Sequence, residues 1–289
     1  MARRDIVIAA DATERSLDSL ALGKLLADAT AAPAVVVSVF PYHPLEDPTG
    51  DELTAVRDDA RRILLELAEA AGVEATDVRV VASNRVGREL HRMTERDTTG
   101  VIVVGSTHRG PLGRLLPGAM GERLLAGSAA PVAVAPRAYA EHAPERLDRI
   151  GVGFDGSDES RHALEAGRLL ARPSGARLRV IGVFERLTFG ALPTGRTAGP
   201  SVNEVLRAEL RGALAEASGA PGEEERFLEG SAAEALAAES ADLDLLVTGS
   251  RGYGPRAAVL LGTTTHALMR TAACPVLVLP RGTSLALGP

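Results

Sequence analysis

The sequence predicts an α/β chain made of two copies of one doubly wound domain. Three observations predict this class: strand and helix patterns alternate, landmarks recur at a constant offset, and the apolar residues are mostly aliphatic. Of the 289 residues, 45% are hydrophobic but only 3% are aromatic, and none is Trp. The cores must therefore be built from Val, Leu, Ile and Ala, which is the composition that buried parallel sheets favour.

Residues that recur 144 positions apart define the internal repeat. They are aspartates, glycines and prolines near the ends of strands or inside helices: Asp11 and Asp155, Gly23 and Gly167, Gly105 and Gly249, Gly118 and Gly262, Pro131 and Pro275. Near Arg85 and Ser231 the alignment of the two copies shifts by two residues, and the original offset returns further along the chain. A period this long indicates domain duplication rather than a stack of small units. We predict domains over residues 1–140 and 146–289, with the boundary in the polar stretch 137–149.

In copy two, apolar runs alternate with helix-length segments, and Ser157 is the expected N-cap of the first helix, with acidic residues in its first turn. The predicted strands are Ile150–Phe154, Arg177–Phe184, Glu225–Leu228, Leu243–Thr248 and Pro275–Leu279. The predicted helices are Ser157–Ala171, Asn203–Ala217, Ser231–Ser240 and Gly262–Thr271. Strands separated by helical crossovers predict parallel pairing with helices on both faces.

Copy one follows the same order. Its predicted strands are Asp5–Ala10, Ala34–Phe40, Val78–Ala82, Val101–Val104 and Val132–Ala135. The closing strands of the two copies, Pro131–Ala135 and Pro275–Leu279, are candidates to pair antiparallel within the chain, which would create a pseudo-two-fold axis.

Charge and cysteine content narrow the classes of function. The net charge of −6 and the low aromatic content argue against a nucleic-acid partner. Cys274 is the only cysteine, so no intrachain disulfide forms, and we expect a small buried hydrophobe there. No apolar run reaches the ~18 residues of a membrane span, and the N-terminus lacks a signal-peptide pattern. We expect a cytoplasmic protein.

One glycine-rich loop is the candidate ligand-binding site. Gly249 follows the strand Leu243–Thr248 and begins the pattern G-x2-G-x9-G-[ST], completed by Gly252, Gly262 and Thr263. Glycines permit tight turns and close approach of a ligand, and a helix that begins at Gly262 directs free N–H groups at whatever precedes it. The pattern indicates an anion site suited to phosphates. The alternative is a tight strand-to-helix connection without a ligand.

Other motifs point to no further chemistry. The stretch Gly151–Gly156 fits G-x-G-x-x-G, but it lies inside a predicted strand rather than after one, so it is not a dinucleotide fingerprint. The chain has no G-x4-G-K-[ST] loop and no G-x-S-x-G elbow. Its six histidines lack metal-site spacing. We predict no catalytic residues and no metal site.

With the Gly249–Thr263 loop, Asp155 after the first strand and the closing strand Pro275–Leu279, the chain resembles a tandem universal stress protein. The match covers nearly the whole chain. The resemblance implies an adenine nucleotide alpha hydrolase-like fold, with five parallel strands per copy in the order 3-2-1-4-5. It also implies ATP, with or without Mg²⁺, in the subgroup with a complete loop. Ligands in such sheets bind beyond the strand C-termini where the strand order reverses.

The resemblance also assigns site residues in copy two. Asp155 with Gly153 and Phe154 would line the adenosine, Val183 would contact the adenine edge through its backbone, and Thr248 and Gly249 would pass under the ribose. The loop would hold the phosphates through Arg251, Gly252, Gly262, Thr263 and Thr264. The alternative for Asp155 is a helix N-terminal cap.

Copy one departs from the family pattern. His108 stands where the second glycine belongs, and Ala119 follows Gly118 in place of the hydroxyl residue. Loss of a hydroxyl donor to a charged phosphate removes ~1.5–3 kcal/mol. Copy one, with Asp11, Val39, Gly105 and Gly118 at the matching positions, is therefore expected to bind nucleotide weakly or not at all.

Three functions stay open on the sequence alone. The first is a regulatory module in stress survival or growth control that senses ATP, and the family resemblance favours it. The second is a slow ATPase or an adenine-nucleotide-transferring enzyme on the same fold. The third is a structural pseudo-dimer without a ligand. A further homodimer is expected, and the sequence does not identify a protein partner.

Overall fold

The computed structural model describes residues 4–40, 50–83, 85–106, 124–125, 127–186, 200–250 and 262–287. The elements of copy one are β1 (Asp5–Ala9), α1 (Leu17–Thr30), β2 (Ala34–Phe40), α2 (Gly50–Ala70), β3 (Ala75–Ala82), α3 (Val86–Thr94), β4 (Thr99–Gly105) and β5 (Val132–Ala135). Those of copy two are β6 (Arg149–Phe154), α4 (Asp158–Ser174), β7 (Arg177–Phe184), α5 (Pro200–Ala217), β8 (Glu223–Glu229), α6 (Ala232–Glu239), β9 (Leu245–Gly249), α7 (Thr263–Thr271) and β10 (Val276–Leu279).

The ten strands of the described residues form one sheet in the order β3-β2-β1-β4-β5-β10-β9-β6-β7-β8. Each copy therefore has the expected order 3-2-1-4-5, with parallel neighbours throughout. The two halves join where β10 pairs antiparallel with β5, with Leu277 opposite Ala133. This pairing confirms the pseudo-two-fold tandem.

The sheet separates two apolar layers. One core contains Leu164 and Leu170 of α4, and the other contains Leu236 of α6 and Leu268 of α7. The central strands of both copies are buried on both faces, with Ile150, Val152, Leu246 and Val247 fully covered. This two-sided burial explains the continuous aliphatic runs in the sequence.

Helix α4 begins as predicted and ends later. Its N-cap is Ser157, whose hydroxyl accepts a hydrogen bond from the Ser160 N–H at 3.2 Å. The helix was expected to stop at Ala171, yet it continues to Ser174 through a proline in the last turn. There the Ser174 hydroxyl donates to the Leu170 carbonyl at 2.9 Å, and Gly175 ends the helix with φ +70°. These contacts satisfy carbonyl groups of the last turn, where the helix ends after the proline.

A short tail follows the last strand of each copy, residues 137–143 in copy one and 281–287 in copy two. The copy-two tail buries Leu285 and Leu287 and reaches across to the start of β4 in copy one. A Cβ at Gly100 would lie 2.5 Å from Leu287 Cδ2 and 3.1 Å from the Ala286 carbonyl oxygen, so glycine lets the tail pack this closely without a shift. The tail therefore ties the two copies together in addition to the strand pairing.

Tyr139, in the copy-one tail, is buried with its hydroxyl unpartnered among the described residues. Burial raises the pKa of Tyr139, and the nearby Cys274 and Asp244 of copy two raise it further. Cys274 is itself a buried hydrophobe, as expected, and burial raises its thiol pKa. The copy-one tail thus lies close to copy two.

We expect Tyr139→Phe to leave stability unchanged or to raise it by up to ~1 kcal/mol, because the variant removes a buried hydroxyl that makes no hydrogen bond to the described residues. Denaturant unfolding of both proteins measures the difference. A loss of more than ~1 kcal/mol would show that the hydroxyl is bonded after all.

Candidate functional site

The candidate site lies at the carboxyl end of the copy-two sheet, between β6 and β9. These strands are neighbours in parallel register, with Ile150 opposite Leu245. Helix α4 follows β6 onto one face of the sheet, whereas α7 follows β9 on the other face. The chain therefore leaves a crevice at this point, which is where open α/β sheets bind ligands.

Asp155 follows β6 directly and shapes the turn into α4. Its Oδ1 accepts from the Ser157 N–H at 3.0 Å and from the Ser157 hydroxyl at 2.5 Å. Gly156 takes a left-handed conformation with φ +82°, which favours glycine. These contacts show that Asp155 stabilises the turn before α4. This role is similar to the N-cap role that was the alternative for Asp155, although the N-cap itself is Ser157. The side chain is exposed, and its Oδ2 has no partner among the described residues.

Thr248 and Gly249 end β9. The Thr248 hydroxyl is buried and, within the described ranges, has no hydrogen-bond partner. A Cβ at Gly249 would lie 2.9 Å from the Glu159 Cβ and 3.1 Å from the Glu159 carbonyl oxygen. The glycine is therefore needed where β9 packs against the first turn of α4, which is a packing requirement independent of any ligand.

Helix α7 begins beside the end of β9. The Gly262 N–H donates to the Ser250 carbonyl at 2.7 Å, and the Thr265 hydroxyl donates to the Gly249 carbonyl at 2.9 Å. These two bonds fix the helix start against the strand, while Gly262 supplies no side-chain cap. Thr263 is exposed and Thr264 is half-buried. Gly262 has φ −60°, which any residue adopts, so a tight turn does not explain this glycine.

The remaining candidates in copy two differ in exposure. Gly153 and Val183 are half-buried near the ends of β6 and β7, whereas Phe154 is only 3% exposed. The ring of Phe154 belongs to the core, with the Arg161 guanidinium 5.9 Å from its centroid. A ligand would reach Phe154 through its main chain. Arg251 and Gly252 lie outside the described residues.

Copy one repeats the turn after the first strand. Asp11 Oδ1 accepts from the Thr13 N–H at 3.2 Å and from the Thr13 hydroxyl at 2.5 Å, and Ala12 has φ 56°. Gly105 is half-buried at the end of β4, and Val39 is half-buried near the end of β2. Gly118, His108 and Ala119 lie outside the described residues, so the expected weakness of this copy stays a prediction.

The sequence reasoning did not select an ion pair that borders the copy-two crevice. Arg281 Nε lies 2.9 Å from Glu159 Oε1, and the Glu159 side chain is only 10% exposed. The repeat could have indicated this position, because the residue of copy one that aligns with Glu159 is Arg15. A change of charge sign between aligned copies marks positions where the two crevices differ.

In the part of the chain that the structure describes, no three His, Cys, Asp or Glu side chains are grouped to hold a metal ion. No helix within those ranges has the length and apolarity needed to cross a bilayer.

Comparisons with known proteins agree on one family. The model of the universal stress protein family matches twice, over residues 2–136 and 146–280. A universal stress protein of Mycobacterium tuberculosis is 32% identical over 229 residues, 77% of this chain and 77% of that protein. A shorter one from Thermus aquaticus is 34% identical over 138 residues, 45% of this chain and 96% of that protein.

Solved structures give the same architecture. A universal stress protein from Archaeoglobus fulgidus superposes with a TM-score of 0.68 at 22% identity, covering 98% of this chain and 100% of that one. A putative universal stress protein from Pseudomonas aeruginosa gives 0.65 at 18% identity, covering 96% and 94%. At these identities the structural matches support the fold alone.

Proposed function

This chain belongs to the universal stress protein family, and on that premise we propose that it is a regulatory protein that binds ATP in copy two. ATP, with or without Mg²⁺, would occupy the crevice between β6 and β9. Occupancy would stabilise one conformation that partners in stress response or growth control detect. The proposal assigns the protein a binding role rather than a chemical step.

The open N-terminus of α7 is the observation that carries this proposal. Two hydrogen bonds hold the helix start against β9, and no side chain of the described residues caps it. An uncapped helix start presents free N–H groups and the positive end of the helix dipole. Such a terminus favours phosphate groups, and the exposed Thr263 adds a hydroxyl donor.

Thr248 supports the proposal from the strand side of the crevice. A buried hydroxyl without a partner costs roughly 1–3 kcal/mol, and a bound ligand that bonds to it would remove that cost. We assign Thr248 and Gly249 to the ribose side of the ligand.

Asp155 would contribute through its second oxygen. Because Ser157 holds Oδ1, the carboxylate has a fixed orientation and leaves Oδ2 to accept from a nucleoside hydroxyl or amino group. We assign Gly153, Phe154 and Val183 main-chain contacts to the adenosine. Arg251, Gly252 and Gly262 would surround the phosphates with Thr263 and Thr264.

We expect one ATP per chain rather than two, because copy one lacks the second glycine and the hydroxyl residue of the complete loop. Isothermal titration of the intact chain with ATP and with MgATP gives the stoichiometry. Mass spectrometry of the denatured protein shows whether adenine nucleotide co-purifies. A stoichiometry of two equivalent sites would contradict the assignment to copy two, and absence of binding would contradict the function.

The same sample separates binding from enzymatic activity. Under single-turnover conditions, we expect ATP to be recovered intact on the timescale of minutes. Release of phosphate within a minute would instead identify the slow ATPase, and transfer of the adenylyl group would identify the transferring enzyme.

A further inference from the structure

The two tails begin with the same turn. The N–H groups of Tyr139 and Thr283, 144 positions apart, each donate to the carbonyl of the proline three residues earlier, at 3.3 and 3.0 Å. The residue before each one is left-handed, with φ 62° at Ala138 and φ 74° at Gly282. Atoms in the two turns can therefore be compared position by position.

In copy one, an aspartate clamps the turn to the helix beneath it. Asp18, in the first turn of α1, accepts from the Ala138 N–H through Oδ2 and from the Ala140 N–H through Oδ1, both at 2.9 Å. One carboxylate therefore satisfies two main-chain donors and closes the gap between α1 and the tail.

Copy two lacks this clamp. Its counterpart of Asp18 is His162, and the N–H groups of Gly282 and Ser284 have no hydrogen-bond partner among the described residues. Between α4 and the copy-two tail lies a cavity of about 310 Å³ that His162 and Ser284 both line. This volume is at the lower end of the ~300–1,000 Å³ typical of small-molecule sites.

The cavity wall combines apolar and cationic groups. Leu169, Pro173 and Leu285 form its apolar part. Arg172 also lines it, forms no ion pair with the described residues, and stands where copy one has an aspartate. The acidic lining residue Glu165 is already bound to Arg168 at 2.8 Å. Because Arg168 also pairs with Glu223, Arg172 is the lining cation that pairs with no acid among the described residues.

We propose that this cavity binds a small monocarboxylate with an apolar body. The ligand carboxylate takes the place that the clamp carboxylate has in copy one. It accepts from the N–H of Ser284, which lines the cavity, and from the N–H of Gly282 at the edge of the cavity, two residues earlier in the tail. Arg172 lies ten residues further along α4 than His162, about 15 Å along the helix axis, and supplies a positive charge at the far part of the wall. The apolar body lies against the wall described above, where removal of its surface from water stabilises the complex. The site is separate from the proposed nucleotide crevice and does not depend on it.

Sodium octanoate tests the proposal on the full chain, with octanamide as the neutral probe of the same length. We expect octanoate to bind at least tenfold more tightly than octanamide in calorimetry. In a ¹⁵N-resolved spectrum, saturating octanoate should move the amide signals of Gly282 and Ser284 and leave those of Ala138 and Ala140 in place.

His162→Asp rebuilds the copy-one clamp and is the decisive variant. We expect it to weaken octanoate binding at least tenfold without lowering the melting temperature, because its carboxylate occupies the donors that the ligand needs. Arg172→Ala, at an exposed position, removes the more distant charge and should reduce affinity by less than His162→Asp does. Equal affinity for octanoate and octanamide, unchanged binding by a folded His162→Asp protein, or no octanoate binding would each overturn the proposal.

Discussion

Thr263→Glu is expected to abolish ATP binding, with a loss of affinity of at least about 100-fold, or ~2.7 kcal/mol. Thr263 is the exposed first residue of α7, beside the uncapped helix start. A carboxylate there would compete for the free N–H groups and repel the triphosphate. An acidic residue at a helix N-terminus normally contributes ~0.3–1 kcal/mol of stability, so the variant should fold at least as well as the parent.

Thr271→Glu is the matched control, because it introduces the same residue at an exposed threonine at the other end of α7. It should retain ATP affinity within about threefold, at the cost of a small loss of stability from the helix dipole. Calorimetry measures affinity, and thermal melting reports folding. If Thr263→Glu bound ATP as tightly as the parent, the phosphates would not lie at this helix and our site would be wrong.

Arg168→Ala is expected to reduce the free energy of unfolding by about 2–4 kcal/mol, because it leaves a buried carboxylate without its partner. Arg168 Nε and Nη2 lie 2.6 and 2.9 Å from the two oxygens of Glu223, whose side chain is only 4% exposed. Nη2 also donates to the Ala217 carbonyl at the end of α5. One guanidinium thus connects α4, the end of α5 and the edge strand β8.

A double-mutant cycle separates the ion pair from the lost packing. Arg168→Ala combined with Glu223→Ala should recover part of the loss, because the unpaired carboxylate is gone. Arg62→Ala is the control: Arg62 also pairs with acids three and four positions away on its helix, but all three side chains are at least 60% exposed. Exposed pairs contribute little, so no measurable loss is expected there. Equal effects at the two arginines in urea unfolding would contradict the role of burial.

The repeat offset and the aliphatic patterning predicted most of the fold. The offset of 144 holds between β2 and β7, and the expected bounds Ala34–Phe40 and Arg177–Phe184 match the structure. Patterning succeeds there because most positions of these strands are buried: the first five of seven in β2 and five of eight in β7. It was weaker at β8, which extends two residues earlier than expected, since an edge strand rich in charge has little apolar signal.

The same offset located the candidate site but did not explain its residues. It placed Asp155 and Gly249 at the ends of adjacent strands, as the sheet order requires. The reason for Gly249 is its contact with Glu159, and the main-chain partner of Asp155 is Ser157. The first contact joins a strand to a helix ninety positions away, which local patterns do not encode.

Residue types and their spacing along the chain are enough to predict the duplication, the order of strands and helices, the family and the location of the glycine-rich loop. They do not predict how the tails meet the helices: a clamp by Asp18 in copy one and a cavity beside His162 in copy two. Those contacts span about 120 residues of chain, and whether two donors meet a carboxylate or face a cavity depends on three-dimensional proximity.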